Sequence, residues 1–280
     1  MYPFIHIGPL TLGTYGLMVA IGLICAFFVL RADFARRGVS ADAEAIIGIT
    51  GLSGLAGSRL YHLLETPAEF FADPWPQLFS TMGFAFVGAI IGGFLALIFL
   101  AKRFRMPMLL MLDAASPAAA LGYGIGRIGC LISGDGDYGI ATNLPWGMAF
   151  NPLQPGSPIL HFIRVDHGAL EASYGWKVRG LPLDGIVRVH PTPIYEFLVA
   201  VVIFWILWRL GGRTIKTRAP NGIVFAAYLV LTGVARFLVE IIRINPRSFY
   251  GLTNAQTASV VSIVAGVILF ASVRRASPAQ

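Results

Sequence analysis

Long uninterrupted apolar runs, broken by short polar or basic stretches, dominate the pattern along this chain. Seven of them are legible, at roughly 12–31, 44–64, 83–101, 109–128, 192–209, 222–242 and 256–273. The runs are continuous rather than alternating and rich in Leu, Ile, Val and Ala. They therefore predict helices, each close to the ~20 residues that cross a bilayer, and not strands. The fourth run is the least apolar, since it carries Asp113, Ser116, Pro117 and several glycines. Such a helix is expected to pack against protein or line a cavity. The longest connection, 129–191, is rich in Gly, Pro and Asp and predicts an external head region, with short strands in stretches such as Gly185 to His190. The pattern as a whole predicts an all-α integral membrane protein, a single transmembrane domain over residues 1–280 with that head inserted between helices four and five. The tail 276–280 is expected to be disordered.

Composition agrees with this pattern. Of 280 residues, 56% are hydrophobic and only 12% charged, about half the charged share of soluble domains. The net charge of +7 sits in short loops, as a topology signal, rather than on one exposed basic face. Nucleic-acid binding is thereby excluded. Basic residues follow run one (Arg31, Arg36, Arg37), run three (Lys102, Arg103, Arg105), run five (Arg209, Arg213, Lys216, Arg218) and run seven (Arg274, Arg275). With seven spans these clusters share one side, which the positive-inside rule makes cytoplasmic, so the N-terminus is expected outside and the C-terminus inside. The 65–82 loop has neither Lys nor Arg, as an external loop should. Cys25 and Cys130 both lie in apolar stretches and do not suggest a disulfide framework. The first residues have neither a basic n-region nor a small-residue cleavage site, so no removable signal peptide is expected.

The chemistry is carried by charges inside apolar runs. Arg127 lies in Gly126-Arg127-Ile128-Gly129-Cys130-Leu131-Ile132-Ser133-Gly134-Asp135. Arg236, Glu240 and Arg243 follow one another at i, i+4 and i+7, on one helix face. A cation in hydrocarbon costs a few kcal/mol or more, so it calls for a buried carboxylate or a lipid phosphate. Guanidinium geometry matches phosphate oxygens bidentately. Structural readings stand beside these: an Arg–Asp pair at a Gly-rich helix end, and a self-contained Arg–Glu pair gluing helices. Asp135 and Asp137 have no His beside them, which argues against a metal site. A third motif, His190-Pro191-Thr192-Pro193-Ile194-Tyr195-Glu196, puts two prolines where a helix starts and places Tyr195 and Glu196 in its first turns. Tyr195 and Glu196 there could equally be an interfacial anchor and a helix-dipole carboxylate. Tyr15-Gly16 opens the first run, where a tyrosine suits the aromatic belt. The stretch Gly51 to Arg59 has the small residues of close helix packing. It also contains the Gly-x-Ser-Gly pattern of rhomboid intramembrane proteases, but no later run has the interior histidine that reading needs.

Together these motifs resemble the bacterial prolipoprotein diacylglyceryl transferase family. The family's Gly-Arg-x-Gly-Asn-x-x-Asn-x-Glu resembles Gly126 to Asp135, and its His-Pro-Ser-x-x-Tyr-Glu resembles His190 to Glu196. Its Arg-x-x-x-Glu-x-x-Arg is similar to Arg236, Glu240 and Arg243, its Tyr-Gly to Tyr15-Gly16, and its Gly-x-Arg to Gly57-Ser58-Arg59. The likeness spans almost the whole chain in the family's order. It implies transfer of the diacylglyceryl group of phosphatidylglycerol to the lipobox cysteine thiol of a preprolipoprotein, with release of glycerol phosphate. It also implies a bacterial inner-membrane location and no metal or soluble cofactor. Nothing in the sequence forces a dimer, and a monomer is expected. Under this resemblance Arg127 and Arg236 would hold the phosphate, with Arg243 or Arg59 helping, and Tyr195 and Glu196 near the lipid. Glu240 would orient Arg236. His190, Asp135 and Tyr15 stand as alternative bases.

This chain departs from the family pattern at several places. Val87 stands where the family has a His or Tyr in the third span, and valine can neither take nor donate a proton. Cys130 and Ser133 replace the two asparagines, Asp135 replaces the glutamate, and the Gly134-to-Gly139 run is one residue longer. Two other readings follow from those departures: a paralogue that passes a lipid group to a different acceptor, or a phospholipid-binding membrane protein without catalysis.

Overall fold

The computed structural model describes residues 2, 4–8, 10–79, 85–134, 139–150, 187–245 and 250–275. A hairpin of β1 (Phe4–Ile7) and β2 (Leu10–Gly13) leads into α1 (Thr14–Arg37), followed by α2 (Ala43–Glu65) and two short helices, α3 (Pro67–Ala72) and α4 (Pro74–Phe79). Then come α5 (Phe86–Arg103), α6 (Met108–Ser133), the antiparallel pair β3 (Met148–Phe150) and β4 (Val187–Val189), α7 (Thr192–Lys216), α8 (Ile223–Ile242) and α9 (Asn254–Arg275). Each of the seven apolar runs lies on a helix. Among the described residues, five helices, α1, α6, α7, α8 and α9, are long and apolar enough to cross a membrane. The protein is a multi-pass, mainly helical membrane protein.

Three features differ from the sequence expectation. The fourth run stays helical to Ser133 instead of ending near 128, so Arg127 and Cys130 are helix residues and the connection begins later. The 65–82 loop contains α3 and α4, whose apolar residues are too few for a span but enough for short turns. The N-terminal hairpin was not anticipated, and it docks on the end of α6 through the Tyr2 N–H, which donates to the Ile132 carbonyl at 2.8 Å. Strand character in Gly185 to His190 is seen at 187–189. Residues 151–186, Asp135, Asp137 and the 276–280 tail lie outside the described residues.

Small residues set the spacing of α2 and α5. A Cβ on Gly57, Gly88 or Gly92 would overlap backbone of the facing helix, including the carbonyl oxygens of Gly88, Gly57 and Ser53. Close backbone approach of this kind brings two helices into tight van der Waals contact. The expectation of close packing from Gly51 to Arg59 is met here.

The polar residues that weaken the fourth run serve its neighbour. Asp113, 1% exposed on α6, accepts hydrogen bonds from the N–H groups of Gly222 and Phe225, each at 2.8 Å. It caps α8 from another helix, because Gly222 at the N-cap position has no side chain to do so. Its negative charge also lies at the positive end of the α8 dipole. At the same end of the bundle Asp33, fully buried, pairs with Arg36 and Arg37. Arg36 reaches from α1 to α7, donating to the Trp208 carbonyl at 2.8 Å and stacking over its ring at 3.8 Å.

Replacing Asp113 with Ala is expected to cost about 1–2 kcal/mol, the usual value of a lost cap. Asp113→Asn, which keeps an acceptor, should lose less; equal unfolding temperatures for wild type and Asp113→Ala in detergent would contradict the cap. Gly92→Leu should separate α2 from α5 and lower the unfolding temperature more than Gly16→Leu, at a position where an added Cβ meets nothing within 4 Å.

Candidate active site

Three helices bring buried charge together at the end of the bundle opposite Asp33. The C-terminal half of α6 supplies Tyr123 and Arg127, the first turns of α7 supply Glu196, and the last turns of α8 supply Arg236, Glu240 and, at its C-cap, Arg243. Pro191 and Pro193 suit the start of α7, where the missing N–H costs nothing, and they fix where Glu196 enters the bundle. The α6–α7 approach that unites Tyr123 with Glu196 depends on Gly124, since an added Cβ would lie 2.8 Å from the Ala200 Cβ.

Glu196 is the hub. Its Oε1 accepts from the Tyr123 hydroxyl and from Arg236 Nη1, both at 2.7 Å. Its Oε2 accepts from Arg243 Nη1 at 3.1 Å, and Arg127 Nε lies 3.5 Å from it. Glu240 forms the second centre. Its Oε2 pairs with Arg236 Nη2 at 3.0 Å and lies 3.7 Å from Arg243 Nε, while Asn245 donates to its Oε1 at 2.6 Å. Glu196 and Glu240 are 4% and 0% exposed. Carboxylates so buried are tolerable only with this density of donors.

The balance of the cluster is informative. Among the described residues, three guanidiniums against two carboxylates leave one positive charge. Arg243 and Arg236 both lie between the two glutamates, but Arg243 has only 5% of its side chain exposed, whereas Arg236 keeps 24% and Arg127 17%. The arrangement is therefore a positively biased cluster with two partly accessible guanidiniums, suited to an anion such as a phosphate. Arg127 also lies over the Tyr123 ring, 5.0 Å from its centre, and its Nη1 is 3.8 Å from the Cys130 sulfur.

Other expected site residues surround this cluster. His190 lies on a ribbon in which residues 139–141 bridge two others. The Gly139 N–H donates to the His190 carbonyl at 3.0 Å, and the Ile140 N–H to the Ile242 carbonyl at 2.8 Å, beside Arg243. Tyr195 Oη is 3.1 Å from His190 Nδ1 and accepts from Trp146 Nε1 at 2.8 Å, so Tyr195 belongs with His190 rather than with the arginines. Tyr15, 47% exposed, lies on α1 where an added Cβ on Gly129 would sit 3.3 Å from its ring. Arg59, on α2, is buried, with 7% exposed. Val87 is 49% exposed in the first turn of α5.

Sequence reasoning missed Tyr123 and Asn245. A signal for Tyr123 existed, since it stands one helical turn before Arg127 and so shares its face. Asn245 gave none, because its contact with Glu240 forms where the chain leaves α8.

This constellation, spread over nearly the whole chain, can be compared with known proteins. A family model described as prolipoprotein diacylglyceryl transferase matches residues 3–272. A phosphatidylglycerol–prolipoprotein diacylglyceryl transferase of Clostridium tetani is 30% identical over 268 residues, covering 91% of each chain. Proteins of the same name from Geobacter sulfurreducens (30% identical, 89% of this chain and 84% of the relative) and Bifidobacterium adolescentis (28%, 94% and 76%) are similar over comparable lengths. With the family match reaching from the N-terminal hairpin into α9 and including Arg127, Glu196 and Arg236, the chain belongs to the prolipoprotein diacylglyceryl transferase family.

Proposed function

We propose that this protein transfers the diacylglyceryl group of phosphatidylglycerol to the lipobox cysteine thiol of a preprolipoprotein, releasing glycerol phosphate. The observation that carries this reading is the buried Glu196–Glu240 cluster with its surplus positive charge and its two partly accessible guanidiniums, Arg127 and Arg236. The reaction forms a sulfur–carbon bond at the terminal glycerol carbon and breaks that carbon's bond to a phosphate oxygen. The thiol proton goes to a base, and glycerol phosphate leaves with the electron pair. Arg127 and Arg236 stabilise the charge developing on the phosphate, and Glu240 and Glu196 hold them in place. Positioned donors in a water-poor site are worth more than in water, because nothing reorganises as the charge appears.

For the base, the geometry favours His190. Its ribbon is hydrogen-bonded to the end of α8 beside Arg243. With Nδ1–H donating to Tyr195 Oη, the other ring nitrogen keeps a lone pair for the thiol proton. Asp135 and Tyr15 are the alternatives.

The same reading places α2 and α5 in the bilayer beside the five more apolar helices, making seven spans in a bacterial inner membrane, with the N-terminus outside. It treats the chain as one transmembrane domain and a monomer, with 139–150 and 187–190 as part of an external head. The Arg36–Trp208 contact supports it by putting the basic ends of α1 and α7 on one side, opposite the Glu196 cluster. The reacting groups then face the outer side of the membrane.

Purified protein given phosphatidylglycerol and a lipobox peptide is expected to yield a thioether-linked diacylglyceryl peptide and glycerol phosphate in equal amounts. Arg127→Ala should lower turnover by about 100-fold or more, the scale of one lost transition-state donor. Lipid that copurifies but is never consumed would establish a binder instead. His190→Ala should cost about 100-fold or more in kcat, whereas Asp135→Ala or Tyr15→Phe should cost far less. The reverse order would move the base to the more damaging position.

A further inference from the structure

We propose that Tyr123 is a positioning residue that makes the phosphate site selective for the charged head group, by holding Arg127 and Glu196 apart and in register. The inference rests on the phosphate role given to Arg127 above and extends it to a residue outside the motifs that carry the family likeness.

Tyr123 touches both members of the pair. Its hydroxyl donates to Glu196 Oε1 at 2.7 Å, and its ring face carries the Arg127 guanidinium, with 5.0 Å from the guanidinium carbon to the ring centre. Stacking occupies the face of the guanidinium and leaves its in-plane N–H donors for hydrogen bonds. Arg127 uses that freedom unevenly. Its Nε is 3.5 Å from Glu196 Oε2, a loose contact, while Arg236 and Arg243 bind the same carboxylate at 2.7 and 3.1 Å. The Tyr123 hydroxyl thus fills a donor position on Glu196 that an arginine would otherwise be drawn to fill. A carboxylate 4% exposed has no solvent to replace that donor. Removing the hydroxyl leaves Glu196 under-satisfied, and Arg127, one helical turn along the same helix and held only at 3.5 Å, is the arginine with room to close on it. Tightened onto Glu196, Arg127 would be withdrawn from an incoming phosphate. The ring has a separate part, since it sets the plane of the guanidinium, and a side chain without an aromatic face would not.

Two variants separate these parts. Tyr123→Phe keeps the ring and deletes only the hydroxyl, and Tyr123→Leu deletes both. Binding of dioctanoyl phosphatidylglycerol and of uncharged dioctanoylglycerol to full-length protein in detergent would be measured by calorimetry, alongside unfolding temperature and transfer kinetics. Tyr123→Phe is expected to weaken phosphatidylglycerol binding about tenfold, the scale of one hydrogen bond to a charged group. It should leave dioctanoylglycerol binding and unfolding temperature unchanged and lower kcat/KM in step. Tyr123→Leu should weaken phosphatidylglycerol binding further. Equal loss for both lipids, or a lower unfolding temperature with unchanged phosphatidylglycerol affinity, would make Tyr123 a packing residue and overturn the proposal. If the wild type binds phosphatidylglycerol but transfers nothing, the transferase reading fails while the binding comparison still decides the role of Tyr123. If it does not bind phosphatidylglycerol at all, both readings fall.

Discussion

A carboxylate that has left water must be surrounded by donors, and at Glu196 that requirement organises one end of the bundle. Four donors reach it from two other helices: Tyr123 and Arg127 on α6, and Arg236 and Arg243 at the end of α8. Removing one of the arginines would leave a buried charge short of partners, which is more costly than never having built the pair. The helices are therefore tied at the point where their registers must agree for chemistry. Because the arginines outnumber the glutamates, the same network that satisfies Glu196 and Glu240 stays receptive to a further anion.

The opposite end is held by the same physics with another purpose. Asp33 binds two arginines of its own helix, and one of them, Arg36, crosses to Trp208 on α7. Asp113 closes the start of α8. These contacts keep α1, α6, α7 and α8 from sliding along one another, a motion that apolar surfaces in lipid resist only weakly. With that end fixed, the donors at the Glu196 end keep their spacing to the few tenths of an ångström that charge-assisted hydrogen bonds need.

Two of the departures from the family pattern, Cys130 and Ser133, lie beside Arg127 and take no part in its ion pair with Glu196. Cys130 and Ser133 are helix residues; the Cys130 sulfur lies within 3.8 Å of Arg127, and the Ser133 hydroxyl donates to the Cys130 carbonyl. A thiol is a much weaker partner than an amide, so Arg127 depends more on its other neighbours, Tyr123 among them. Val87 is half exposed at the start of α5, and its side chain has no group that could carry a proton.

Periodicity and hydropathy alone determined the seven helical runs, since a segment that must satisfy its own backbone in lipid has little choice but helix. The charges inside those runs, Arg127, Arg236, Glu240 and Arg243, were legible because their cost in hydrocarbon makes them conspicuous. Glu196 was visible in its motif, yet it read as well for a dipole carboxylate as for a functional one. Only the tertiary structure decided that Glu196 joins arginines 40 and 47 residues away, that Tyr123 completes the set, that Asp113 caps a helix 109 residues on, and that Tyr195 sides with His190. The physical reason is the same in each case. Sequence spacing reports which residues share a face of one helix, but which faces meet depends on the packing of all the helices together, and on small residues such as Gly124 that let two backbones approach.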